Sequence, residues 1–195
     1  MIKYRNLVQV YVNHGRLSVS RFLSKNLDRK QRAGLVSVIV PALESRADLL
    51  ASQCLPSVES QTYRSFEVIV ASQSFSPGLA EAVRKMGGNY RYFWGTKKSR
   101  ALRKAGSLAN WCSGAAPNLN LAIKKARGAY IARLDDDDEW LPDHLSDAIA
   151  LLEEGAFEFV SSSAHGPDGA IVENSYLADY KYFGHDFEWL NLSSV

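Results

Sequence analysis

Short apolar runs alternate along this chain with runs of helical period. Residues 35–40 read L-V-S-V-I-V, a β-branched stretch closed by Pro41, the profile of a strand buried on both faces. Residues 47–61 follow at helical spacing, and Pro56 is expected to kink that helix or divide it. A second strand is expected over 66–71 (F-E-V-I-V-A), then a Ser-, Pro- and Gly-rich loop through Gly78. Residues 79–86 predict a helix stopped by Gly87 and Gly88, and 90–94 a third strand. Residues 97–104 are strongly basic and 105–116 rich in small side chains, which predicts a loop or partly helical insertion. A helix over 118–125 leads through Gly128 into the apolar run Tyr130, Ile131, Ala132 and Leu134. Trp140 opens a segment in which Leu145, Ala148, Ile149 and Leu152 recur at helical spacing. A fifth strand is expected over 157–161, and G-P-D-G at 166–169 is a turn into Ala170, Ile171 and Val172. Strands alternating with helices predict an α/β fold with a mostly parallel sheet and right-handed crossovers.

Composition narrows the setting. A chain of 195 residues is the size of one domain, here read as 35–195 preceded by a basic extension over 1–34. Two cysteines, Cys54 and Cys112, are too few for a disulfide framework or a cysteine-based zinc cluster and suit a reducing cytoplasm. No run approaches the roughly 20 apolar residues of a membrane span. The extension carries Lys3, Arg5, Arg16, Arg21, Lys25, Arg29, Lys30 and Arg32 against Asp28 alone. With Leu7, Val8, Val10, Leu17 and Phe22 between the charges, it is either a solvated arm or a peripheral contact with an anionic membrane. The expected location is cytoplasmic, at the inner face of the membrane if the arm binds lipid. No recognised motif supports nucleic acid as a partner.

Candidate chemistry concentrates in Asp135, Asp136, Asp137 and Asp138, between the run ending at Leu134 and the helix after Trp140. Ligand sites of open α/β sheets form at the carboxyl ends of strands. Crowded carboxylates repel unless a cation neutralises them, and an all-oxygen set suits Mg²⁺ or Mn²⁺. The alternative is capping, since acidic residues are favoured in the first turn of any helix. His144 lies one turn past the aspartates, facing the site or the helix surface. His165 and His185 lack metal-ligand spacing.

Three stretches in order resemble the family 2 glycosyltransferases of the GT-A fold, a Rossmann-like nucleotide-diphospho-sugar transferase architecture. They are V-S-V-I-V-P at 36–41, L-P-S-V-E-S-Q-T-Y-R-S-F-E-V-I-V at 55–70, and N-L-A-I-K-K-A-R-G-A-Y-I-A-R-L-D-D-D-D-E-W-L-P at 120–142. The resemblance implies an inverting, metal-dependent transfer of sugar from a nucleotide-diphosphate donor to a hydroxyl of a glycan, lipopolysaccharide or glycolipid. It makes Asp137 the direct ligand of Mn²⁺ or Mg²⁺, with Asp135 completing a D-x-D pattern and Asp136 and Asp138 positioning nucleotide, sugar or metal-bound water. It assigns Pro41, Ala42, Leu43, Glu44, Ser72, Gln73 and Asn120 to the nucleotide.

The chain departs from the family where the base is read. Leu43 replaces a stacking aromatic, Ser72 and Gln73 replace two acidic residues, and Leu119 with Asn120 stands for an Arg-Asn pair. Family members continue beyond a strand resembling residues 191–195 into the segment that supplies the general base, so the chain is expected to be a fragment. Asp186 and Glu188 are then the remaining carboxylates for that role, against surface charge as the alternative. A basic lid over a diphosphate is the functional option for 97–104, a solvated loop the other. The competing reading is a non-catalytic nucleotide-binding or partner-docking relative.

Overall fold

The computed structural model describes residues 2–3, 31–96, 107–154, 160, 162, 164–165 and 171–172. Strands β2 (Arg32–Pro41), β3 (Phe66–Ala71), β4 (Tyr90–Phe93) and β5 (Gly128–Arg133) pair in parallel in the order β5-β2-β3-β4. Strand β1 (Ile2–Lys3) lies antiparallel on the outer edge of β5, pairing Ile2 with Ile131. The sheet is therefore mostly parallel, as the alternation of elements predicts. Residues 2–3 and 32–34 of the expected extension join it.

Burial explains the strand sequences. Every residue of β3 is buried, as are Val36 to Pro41 of β2, so both strands are enclosed on both faces and mostly apolar. Val36, Val38, Val40, Val68 and Val70 pack toward α1 (Ala47–Leu49), α2 (Leu55–Glu59), α3 (Pro77–Met86) and α5 (His144–Glu153), where Leu55, Leu79, Leu145 and Leu152 meet them. Ile39, Ile69, Ala71 and Ile131 point the other way, beneath Ala122 of α4 (Ser107–Lys125) and Ala126 just beyond it.

Three boundaries differ from expectation for identifiable reasons. The helix over 47–61 is divided, but upstream of Pro56, by a π turn over Leu50–Cys54. Pro56 stands at the second residue of α2, directly after the π turn, and brings no N–H of its own to that junction. Helix α4 begins at Ser107, eleven residues before the expected start, and runs through Pro117. Gly114 and Pro117 read locally as breakers, yet the crossover above the sheet overrides them. Strands β6 (Ala164–His165) and β7 (Ile171–Val172) pair antiparallel on either side of the expected turn. Of 157–161 only Val160 can be placed, buried and outside any strand; the rest of that expected strand lies outside the described residues.

The amino ends of the strands are fastened around Glu67, a charged side chain on a buried strand. Its Oε1 accepts from Ser37 Oγ at 2.8 Å and the Arg127 amide at 2.7 Å, and its Oε2 pairs with Arg91 at 2.7 Å. Arg91 also donates to the Lys125 carbonyl, tying the end of α4 to β4. Gly128 belongs to the same corner, since a Cβ there would collide with the Leu35 carbonyl oxygen of β2.

Candidate active site

The strand order reverses direction at one place. The chain moves from β2 outward to β3 and β4, then returns to lay β5 on the opposite side of β2. A crevice at such a switch point, outside the carboxyl ends of the strands, is where open α/β sheets take ligands. The loop after β2 and the aspartates after β5 meet there.

Asp136 makes the junction. It is 2% exposed, and its Oδ2 accepts from the Leu43 amide at 2.7 Å. Its Oδ1 lies 3.1 Å from Arg46 Nη1, at the end of the turn Glu44–Arg46. Burial raises the Asp136 carboxyl above its ordinary range, and the Leu43 amide and Arg46 oppose that shift. The same Arg46 nitrogen is 3.0 Å from Asp137 Oδ1. Asp135 accepts a forked pair from its neighbour Arg133, at 2.9 and 3.0 Å from Nη2. Asp138 is exposed and has no ion pair among the described residues. Partial withdrawal from water, with the charges of Asp135 and Asp137, raises its carboxyl.

Among the described residues no three His, Cys, Asp or Glu side chains converge on one point. The donor set still fits a divalent cation of the Mg²⁺ type, which usually takes one or two carboxylates and completes its shell with water and substrate phosphates. Asp137 and Asp135 offer such oxygens at the crevice. The capping alternative is not what is seen, because α5 starts only at His144 and its N-cap Asp143 makes no side-chain cap bond.

The other expected residues divide. Pro41 closes β2, the Ala42 amide donates to the Ala71 carbonyl at 2.8 Å, and Leu43 and Glu44 are exposed on the crevice side of the turn. Ser72 is buried and its hydroxyl is engaged, 2.7 Å from the Ser74 carbonyl and 2.6 Å from Tyr92 Oη. Gln73 is not a solvated amide: its Nε2 is enclosed and has no hydrogen-bond partner among the described residues. Asn120 is exposed on α4, while Asn118, not singled out from the sequence, is buried and accepts from Thr96 Oγ1 at 2.5 Å. His144 is half-buried and stacked on Trp140 at 4.5 Å, and burial lowers its imidazole to about 4. It is neither a surface imidazole nor a neighbour bonded to the aspartates. Arg46 and the exposed ring pair Phe75 and Trp94, 5.0 Å apart, were also not legible; no local pattern marks them. Asp186, Glu188, His185 and residues 97–104 lie outside the described residues.

The family model for glycosyl transferase family 2 matches residues 37–192. The chain belongs to glycosyl transferase family 2. Among its relatives, this family 2 chain is 33% identical over 119 residues to the Escherichia coli protein WfaP, a UDP-Glc:α-D-GlcNAc-diphosphoundecaprenol β-1,3-glucosyltransferase. That match covers 61% of this chain and 41% of WfaP. WfgD of Escherichia coli, named for the same reaction, is 28% identical over 148 residues, covering 75% of this chain and 52% of that protein. The chain thus spans about half or less of the length of these relatives. The solved structure of S. aureus TarS 1-349 superposes with a TM-score of 0.53 at 23% identity, covering 72% of this chain and 38% of that one. The shared fold is the GT-A sheet, as the sequence motifs imply.

Proposed function

We propose that this family 2 chain carries the donor-binding part of an inverting, metal-dependent glycosyltransferase. It would move a sugar from a nucleotide-diphosphate donor to a hydroxyl of a glycan or lipid-linked acceptor. The observation that carries the reading is the row of aspartates at the switch point, tied through Asp136 to the loop after β2. WfaP is named for a UDP-Glc donor and a lipid diphosphate acceptor, and TarS was solved with UDP and with UDP-GlcNAc. These names support a UDP-sugar as the first donor to test.

Asp137, with Asp135, would hold Mn²⁺ or Mg²⁺. Such a cation stabilises the charge growing on the departing nucleoside diphosphate. The chain's own part is to fix the loop after β2 against these carboxylates through Asp136, and Gln73, whose amide can both donate and accept, is the side chain offered to the base. A base takes the proton of the acceptor hydroxyl, whose oxygen bonds to the anomeric carbon opposite the breaking bond to the diphosphate and so inverts that centre; Asp186 and Glu188 are this chain's carboxylates offered as that base. No helix among the described residues is long and apolar enough to cross a membrane. In this reading a lipid-linked acceptor is met at the cytoplasmic face of the membrane, with the basic extension as the contact. A non-catalytic nucleotide-binding relative is the second reading, favoured by the engaged Ser72 hydroxyl and by Leu43 at the stacking position.

The test is a thermal-shift titration with UDP, GDP, CDP and dTDP, each with and without Mn²⁺. One nucleotide that raises Tm only with Mn²⁺, and no longer does so in Asp137→Ala, is the expected result. A nucleotide shift indifferent to Mn²⁺ and to Asp137→Ala would remove the metal-ligand assignment. Binding without sugar transfer by a version spanning the relatives' full length would select the second reading.

A further inference from the structure

We propose that Arg46 is a positioning residue. Its guanidinium holds Asp137 while no cation is present, and it couples the arrival of the cation to that of the diphosphate. The inference rests on the reading of Asp137 as a metal ligand and adds a partner to it.

A single nitrogen, Arg46 Nη1, bridges two unlike carboxylates. Asp136 is the fixed one, buried and held at its other oxygen by the Leu43 amide. Asp137 is the exchangeable one, about a third exposed, with Arg46 as its ion pair among the described residues. The Arg46 side chain is 40% exposed, which leaves it room to turn toward solvent while it keeps Asp136. It springs from the short turn directly after β2, at the wall of the crevice where a diphosphate would lie. Two arginines, Arg46 and Arg133, stand against four carboxylates, and the two negative charges left over suit a divalent ion.

A cation approaching Asp137 alone meets the guanidinium and is repelled by it. A cation arriving with a nucleoside diphosphate brings phosphate oxygens that the guanidinium prefers as planar, forked partners. Each ligand then relieves what opposes the other, which is positive coupling between two sites. Bare metal binding is weak and combined binding strong.

The experiment is a Mn²⁺ titration of the full chain by electron paramagnetic resonance, with and without UDP, for wild type and Arg46→Gln. Arg46→Gln is expected to bind Mn²⁺ alone about fivefold more tightly, the factor a part-exposed ion pair supports. The strengthening of Mn²⁺ binding by UDP should shrink in the same variant, and adding Asp137→Asn should abolish the gain. Unchanged or weaker binding of Mn²⁺ alone by folded Arg46→Gln would overturn the proposal. If that variant does not fold, the ¹⁵N side-chain resonance of Arg46 in wild type decides. It should move when Mg²⁺ and UDP are added together and stay in place with Mg²⁺ alone; no movement in either case overturns the proposal. Wild type that binds no Mn²⁺ with any of the four nucleotides would fail the functional reading and the inference together. Wild type that binds, with no gain in Arg46→Gln, fails the inference alone.

Discussion

At the amino end of the sheet, Glu67 is buried and takes bonds from Ser37, the Arg127 amide and Arg91, three elements that it locks together. At the carboxyl end, Asp135 and Asp137 meet Arg133 and Arg46 at similar distances, but on part-exposed side chains. Asp136 is the intermediate case, buried like Glu67 yet within reach of the crevice. The chemistry of the pairs is the same, and the setting separates them. A carboxylate enclosed and saturated by a hydroxyl, an amide and a guanidinium fixes the fold. One whose partner is a half-exposed guanidinium can exchange that partner for a ligand.

Mutations can break this contrast, and the largest effect is expected at the amino end. Glu67→Ala removes the buried carboxylate that Ser37, Arg91 and the Arg127 amide share, and should cost about 3–5 kcal/mol in a urea melt. A loss under 1 kcal/mol would mean that the buried network does not fasten the sheet.

Acid should sharpen the contrast from the other side. Half-buried His144 takes its proton only near pH 4, whereas the unfolded chain takes it near its ordinary 6.5. Its contribution is complete above pH 6.5 and is lost as pH falls toward 4, about 3 kcal/mol in all. His144→Gln should flatten that part of the stability-versus-pH curve; an unchanged slope would assign it to the carboxylates instead.

Gly128→Ala forces a methyl group against the Leu35 carbonyl and should cost about 1–3 kcal/mol by separating β5 from β2. Because both strands lead into the crevice, nucleotide binding should weaken with it, measurable by calorimetry well below Tm. Retained affinity would mean that the two ends of the sheet are mechanically independent. The smallest effect on stability belongs to Asp137→Asn, within about 0.5 kcal/mol, since a part-exposed pair is lost and crowded charge relieved. A drop in Tm as large as that of Glu67→Ala would make the carboxyl end structural too.

The strands were legible because buried parallel strands are written locally, as in F-E-V-I-V-A, whose bounds match β3 residue for residue. The aspartate row was legible for the same reason, since it is contiguous and follows such a strand. What escaped was whatever depends on the third dimension. Arg46 finds Asp136 ninety residues away, and nothing near Arg46 in the chain announces that. Glu67 reads as an ordinary polar interruption until Arg91 and Arg127 are folded around it. Helix α4 was cut short because the small side chains of 105–116 suggest a loop or partly helical insertion, in a place where crossover geometry decides. Gln73 was named as a base reader, but the enclosure of its nitrogen, with no partner among the described residues, is a fact of packing.

The π turn over Leu50–Cys54 acts as a length buffer. Its bond from the Leu55 amide to the Leu50 carbonyl accommodates one residue more than an α-turn, along the exposed stretch Ala51, Ser52 and Gln53. In an α-helix each residue advances the face by about 100°. The wider turn absorbs that advance, so deleting Ser52 would restore regular winding and leave the segment that leads back to Arg46 nearly in phase with the segment that carries Leu55 and Val58 into the core. An added residue with no such turn to absorb it would instead swing the arginine off the aspartates. A one-residue change in length is thus tolerated at this place in the helix, with the crevice and the sheet both intact.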